Sequence, residues 1–91
     1  MYRIIQTDSY KRRFRRFIRQ HPDLLPRYRK TILILARDPF HPSLRLHALR
    51  GRLKGLHSVS LNMNYRITLE LEIDGQLIKL VNIGTHEEVY R

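Results

Sequence analysis

Histidine, lysine, arginine and tyrosine gather in two short stretches of the sequence, LHALRGRLKG at residues 46–55 and GTHEEVY at residues 84–90, with YRI at 65–67 between them. The candidates for chemistry are His47, Arg50, Arg52, Lys54, His57, Arg66, His86 and Tyr90. These types suit RNA cleavage without a metal: the 2′-OH attacks the neighbouring phosphate, a base takes its proton, an acid protonates the leaving oxygen, and cations stabilise the extra charge on phosphorus. Histidine serves both proton roles because its unperturbed pKa lies near neutrality.

Other chemistries lack their residues. There is no HExxH or CxxC spacing for zinc, no GxxxxGK[ST] loop for a nucleotide and no GxSxG elbow. RGRLKG has glycines and cations, but no strand leads into it. Each candidate also has a purely structural reading. His57 is a packing or surface residue as readily as a catalyst, and His47 sits in an otherwise apolar LHAL. Lys54 and Arg52 read as solvated charges too, and Tyr90 as a hydrophobic anchor.

The elements that must position these residues follow from periodicity. Residues 2–6 read as a strand, and Asp8 or Ser9 offers an N-cap for a helix carrying Tyr10, Phe14, Phe17 and Ile18 on one stripe. Lys11, Arg12, Arg13, Arg15, Arg16 and Arg19 occupy its other face. HPD at 21–23 breaks this helix, and Asp23 is placed to cap a second one with Leu25, Tyr28, Ile32, Leu35 and Ala36 on its apolar side, ending before Pro39. A basic loop of about 18 residues comes next, long for a loop without a function.

From Leu56 the period becomes two. LHSVSLN reads as a strand, and YRITLELEI alternates Ile67, Leu69, Leu71 and Ile73 with Arg66, Thr68, Glu70 and Glu72. Asp74-Gly75 predicts a two-residue hairpin turn with both residues at positive φ, returning along QLIKLVNIG. That turn sets Leu71, Leu69 and Ile67 opposite Ile78, Leu80 and Asn82, with Glu70 opposite Lys79. Arg66 then points away from the core, and His86 lies on the last strand. The expected architecture is one α+β domain over residues 1–91, an N-terminal strand and helical hairpin packed on one face of an antiparallel sheet.

Composition narrows the partners. The 91 residues hold no cysteine, which leaves the apolar core to carry stability. No stretch approaches the ~20 apolar residues of a membrane span, so a cytoplasmic protein is expected, without a membrane. Residues 1–55 hold 15 basic and 3 acidic residues, +12, whereas residues 56–91 hold 3 and 5, −2. A charge this large and this uneven implies a phosphate polymer as partner, since each neutralised phosphate releases counterions.

In the order and spacing of LHALRGRLKG, YRI and IGTHEEVY, across almost the whole chain, the sequence resembles the RelE/ParE toxin superfamily of bacterial toxin–antitoxin systems, most of all its YafQ-like ribonuclease branch. The resemblance implies a RelE-like fold and a toxin that acts as a ribosome-dependent endoribonuclease on translated mRNA, held inactive by a cognate antitoxin and using no cofactor or metal. It implies His86 as general acid, His47 as an active-site histidine, Tyr90 as the aromatic four residues on, and Lys54 and Arg66 as phosphate-holding cations. Arg12, Arg13, Arg16, Arg50 and Arg52 would dock on RNA. Where that branch has a second histidine and an aspartate, this chain has Ser60 and Asn64; neither titrates near neutrality, leaving His47, or Lys54 with a lowered pKa, as base. The alternatives within the superfamily are a ParE-like, non-catalytic inhibitor of DNA gyrase and a degenerate member that only binds its antitoxin.

Overall fold

Thr7, not Asp8 or Ser9, opens the first helix. Its hydroxyl accepts from Tyr10 N–H at 3.1 Å, so the threonine just before the expected caps satisfies the first free donor of the turn. In the computed structural model, which describes residues 1–90, a strand β1 (Arg3–Gln6) leads into helices α1 (Asp8–Gln20) and α2 (Leu25–Arg37). The break between them is a 3-10 turn, Pro22–Leu24; Asp23 lies inside this turn and caps nothing. Tyr10, Phe17, Tyr28, Thr31 and Leu35 are the buried residues of the two helices, while Ile32 and Ala36 are only half-buried. Tyr10 and Tyr28 join their hydroxyls at 2.8 Å. Burial raises the pKa of both phenols, so both remain neutral donors and acceptors.

The basic segment is more ordered than a loop. It contains 3-10 turns at Pro42–Leu44 and Gly51–Leu53 and a two-residue strand, β2 (His47–Ala48). Three longer strands follow, β3 (His57–Ser60), β4 (Tyr65–Glu72) and β5 (Leu77–Thr85). They form one sheet in the order β1-β5-β4-β3-β2, antiparallel except that β1 runs parallel to β5. The α+β class expected from the sequence is the one found, with the helices on one face. Val59, Ile67, Leu69, Ile78, Leu80 and Ile83 turn to that face and pack with the aromatic rings of α1 and α2. Burying a side chain of this size contributes roughly 1.5–3 kcal/mol.

The hairpin follows its expected register only at first. Leu71 pairs with Ile78, Glu70 with Lys79 and Leu69 with Leu80, and the Glu70–Lys79 ion pair spans 3.7 Å. A bulge at Val81 then shifts the strand by one, so Thr68 faces Asn82, and Ile67 faces Ile83 instead of Asn82. The reason lies in burial: the bulge pairs two core residues, where strict alternation would oppose Ile67 to an amide. Arg13 donates to the Val81 carbonyl at 3.2 Å and so ties α1 to the bulge. The turn also differs. Its loop is four residues, Ile73 to Gln76, closed by Gln76 N–H to Ile73 O at 3.1 Å, and Gln76 takes the positive φ, +50°, expected at Asp74 and Gly75.

Candidate active site

Strand alternation divides the candidates between two faces. Val59 and His57 share the helix-covered side with Ile67 and Leu69, so His57 is half-buried against the core, its Nδ1 without a partner. Ser58, Ser60, Arg66 and Thr68 occupy the opposite, open side, and β2 adds His47 opposite Ser58. Arg66 thus points away from the core, as alternation along its strand requires.

The residues of GTHEEVY bring His86 and Tyr90 onto that open side. His86 is not on the last strand: β5 ends at Thr85, and His86 is the first residue of a short helix, α3 (His86–Val89). Thr85 caps it. The threonine hydroxyl accepts from Glu88 N–H at 3.2 Å while Glu88 Oε1 accepts from Thr85 N–H at 3.0 Å, a reciprocal pair that stops the strand and starts the turn. These bonds hold the Glu88 carboxyl below its usual pKa, with help from His21 and Arg16 nearby. Gly84, buried and opposite Arg66, leaves room for the fold-back, since a Cβ there would lie 3.1 Å from Cβ and Oε1 of Glu88.

One helical turn separates His86 from Tyr90, which stacks their rings edge to face with centroids 4.0 Å apart. Tyr90 then reaches across the sheet. Its hydroxyl donates to Ser58 Oγ at 2.9 Å and lies 3.4 Å from His47 Nε2. His47 Nδ1 is 3.2 Å from the Arg45 carbonyl, which can only accept, so the neutral ring carries its proton on Nδ1 and keeps the Nε2 lone pair free. Such an imidazole can take a proton at Nε2 without losing its anchor. Arg66 is two residues along β4 from Thr68, the partner of Ser58, a step of about 6.6 Å.

The structure therefore brings His47, Tyr90 and His86 together, with Arg66 beside them on the same face. Lys54 is exposed at the end of the Gly51–Leu53 turn, where its N–H donates to Gly51 O at 3.1 Å, and its ammonium group has no hydrogen bond or ion pair among the described residues. Arg50 and Arg52 are exposed on the same turn, Arg12 is exposed on α1, Arg13 is bonded to the bulge, and Arg16 lies near Glu88. Ser60 donates to Asn62 O at 2.9 Å, and Asn64 is exposed in the β3–β4 turn. Sequence reasoning missed Ser58, fully buried and holding Tyr90. The signal was available: in HSVS the serines alternate with the face that carries Val59. No group of three or more histidine, cysteine or acidic side chains that could hold a metal occurs among the described residues.

Solved structures share this architecture. YafQ from E. coli superposes with a TM-score of 0.82 at 14% identity over the whole of both chains. A metal-bound toxin from Helicobacter pylori gives 0.79 at 22% identity over 98% of this chain and 99% of its own. YafQ in its complex with DinJ, also from E. coli, gives 0.72 at 18% identity over the whole of both chains. At the level of the fold, the resemblance to RelE/ParE toxins and to YafQ is borne out. No protein-family model matches the chain. No curated protein matches it in sequence.

Proposed function

We propose that this protein is the toxin of a toxin–antitoxin pair and cuts mRNA by metal-independent acid–base chemistry while the message is being translated. His47 Nε2 takes the proton of the 2′-OH, the freed oxygen attacks phosphorus, Arg66 stabilises the added charge, and His86 protonates the departing 5′-oxygen, leaving a 2′,3′-cyclic phosphate. Tyr90 holds His86 by ring contact, and its hydroxyl, which donates to Ser58, is placed to accept from Nε2–H of His47 once that ring has taken the proton. Lys54, exposed, is assigned to holding RNA, and the base role goes to His47, whose Nε2 lone pair faces the open side. The observation that carries this reading is the single line of contacts from His86 through Tyr90 to His47 and Ser58, on the face that also bears Arg66.

The arginines Arg12, Arg13, Arg16, Arg50 and Arg52 dock on ribosomal RNA in this reading, and positioning by the ribosome supplies part of the rate. A cognate antitoxin is the partner that silences the protein; the neighbour solved with DinJ supports such a pairing. Among the described residues no helix is long and apolar enough to cross a membrane, in keeping with action at cytoplasmic ribosomes. The test is mapping of mRNA 5′ ends after induction. His86→Ala is expected to lower cleavage by about 10²–10⁴-fold and relieve growth arrest while the protein stays folded. Equal cutting by the variant and the parent would remove His86 from its role. DNA damage with intact mRNA would point to gyrase, and unchanged growth on expression of the parent to an inactive antitoxin binder.

A further inference from the structure

We propose that a groove beside the candidate active site, between α2, the Pro42–Leu44 turn and the β3–β4 end, is a second phosphate subsite that holds the backbone of single-stranded RNA next to the bond being cut; this inference rests on the RNA-cleaving reading. Arg27, Arg45 and Arg66 line it together with Ser43 and Ser60, around a volume of about 290 Å³. A second depression of about 340 Å³ shares Arg27, Ser43 and Ser60 and adds Lys30, so the groove continues along α2. No carboxylate lines either part, and among the described residues none of these four cations is in an ion pair. Planar guanidinium forks and serine hydroxyls are donors matched to phosphate oxygens.

Two details aim the groove at the reaction. Arg66 belongs to both places, so a strand whose scissile phosphate rests on Arg66 lays its next phosphate between Arg45 and Arg27. Arg45 also sits at φ +50°, a conformation that favours glycine or asparagine, and its carbonyl receives His47 Nδ1 at 3.2 Å. One unfavourable residue thus sends its guanidinium to the groove and its carbonyl to the base. Arg27 donates to Leu61 O at 3.4 Å, which steadies the opposite wall.

The test compares the parent with an Arg27→Gln, Arg45→Gly double variant, leaving Arg66 intact. The probes are a fluorescent hexanucleotide RNA, 2′-O-methylated throughout so that it cannot be cut, and the matching dinucleotide, titrated at several salt concentrations. The variant is expected to bind the hexanucleotide about tenfold more weakly at low salt, with the slope of log affinity against log salt reduced by about 0.7 for each phosphate it no longer neutralises, and to bind the dinucleotide as the parent does. Glycine suits the Arg45 backbone, which offsets the loss of the Arg27–Leu61 bond, so the variant's melting temperature should stay within a few degrees of the parent's. Unchanged hexanucleotide binding, equal weakening on both probes, or no binding by the parent would overturn the subsite. So would a weakening confined to a fluorescent acidic peptide titrated in parallel, which would make the groove a protein-docking site. Because the probe cannot be cleaved, its binding reports the subsite separately from mRNA cutting, which tests the underlying reading.

Discussion

Removing a single oxygen from Tyr90 tests whether residues 86–90 fold over the open face of the sheet. Ser58 is fully buried, and its hydroxyl is met by Tyr90 at 2.9 Å. In Tyr90→Phe the serine keeps its polar atom but loses this partner, and a buried unsatisfied group costs about 1–3 kcal/mol. The reverse change is milder. Ser58→Ala leaves the unpaired hydroxyl on Tyr90, which is only half-buried and can turn to water, so about 0.5–1 kcal/mol is expected. The double variant should be nearly as stable as Ser58→Ala alone, giving a coupling of about 1 kcal/mol or more. For a domain this size each kcal/mol moves the melting temperature by about 4–8 °C, within reach of urea titration or differential scanning calorimetry. If Tyr90→Phe and Ser58→Ala each change stability by less than about 0.3 kcal/mol and show no coupling, the tyrosine does not rest on Ser58, and the alignment of His47 with His86 fails with it.

Three further perturbations bear on the same arrangement. Gly84→Ala places a methyl group 3.1 Å from Glu88, so α3 must shift or Glu88 must leave its cap; a loss of about 1–3 kcal/mol and reduced RNA cutting are expected by denaturation and cleavage assays, with a neutral result counting against the fold-back. The Glu88 carboxyl is held below its ordinary pKa, so its contribution is complete above the ordinary glutamate value of about 4.3 and is lost as pH falls through its lower folded value; amide exchange at Thr85 should quicken only in that acid range, and a change near neutrality would contradict the assignment. Thr7→Ala removes the cap of α1 and is expected to cost about 1 kcal/mol, whereas Ser9→Ala should cost clearly less.

The regular parts of this molecule were legible because burial and alternation agree there. Leu69, Leu71, Ile78 and Leu80 set the β4–β5 register, and Tyr10, Phe17, Tyr28 and Leu35 marked the inner faces of the helices. Legibility ended where local and tertiary demands diverge. Strict alternation carried past Leu80 opposes Ile67 to Asn82, and only the competition for core space reveals the bulge at Val81. Asp74-Gly75 has the composition of a tight turn, yet the chain spreads the reversal over four residues and places Gln76 at positive φ. In the candidate site, residue types singled out His47, His86, Tyr90 and Arg66 as candidates, but did not show that His86 opens a helix. The Thr85–Glu88 spacing of that capping box was present in the sequence and was hidden by the strand running into it. Alternation in HSVS could place Ser58 on the face of Arg66, though not under the Tyr90 hydroxyl, and Arg45 meets His47 through a main-chain carbonyl, a role that leaves no mark on residue type.

The parallel pairing of β1 with β5 joins Arg3 to Leu77, 74 positions apart, and the turn bearing His86 follows directly on that last strand. Long-range pairing of this kind closes late, because the intervening chain must be ordered first. During synthesis, α1 and α2 can gather early, but the sheet lacks β5, the strand between β1 and β4, until residues 77–85 have emerged. The open-face arrangement of His47, Tyr90 and His86 therefore exists only after the codons for β5 and α3 have been read.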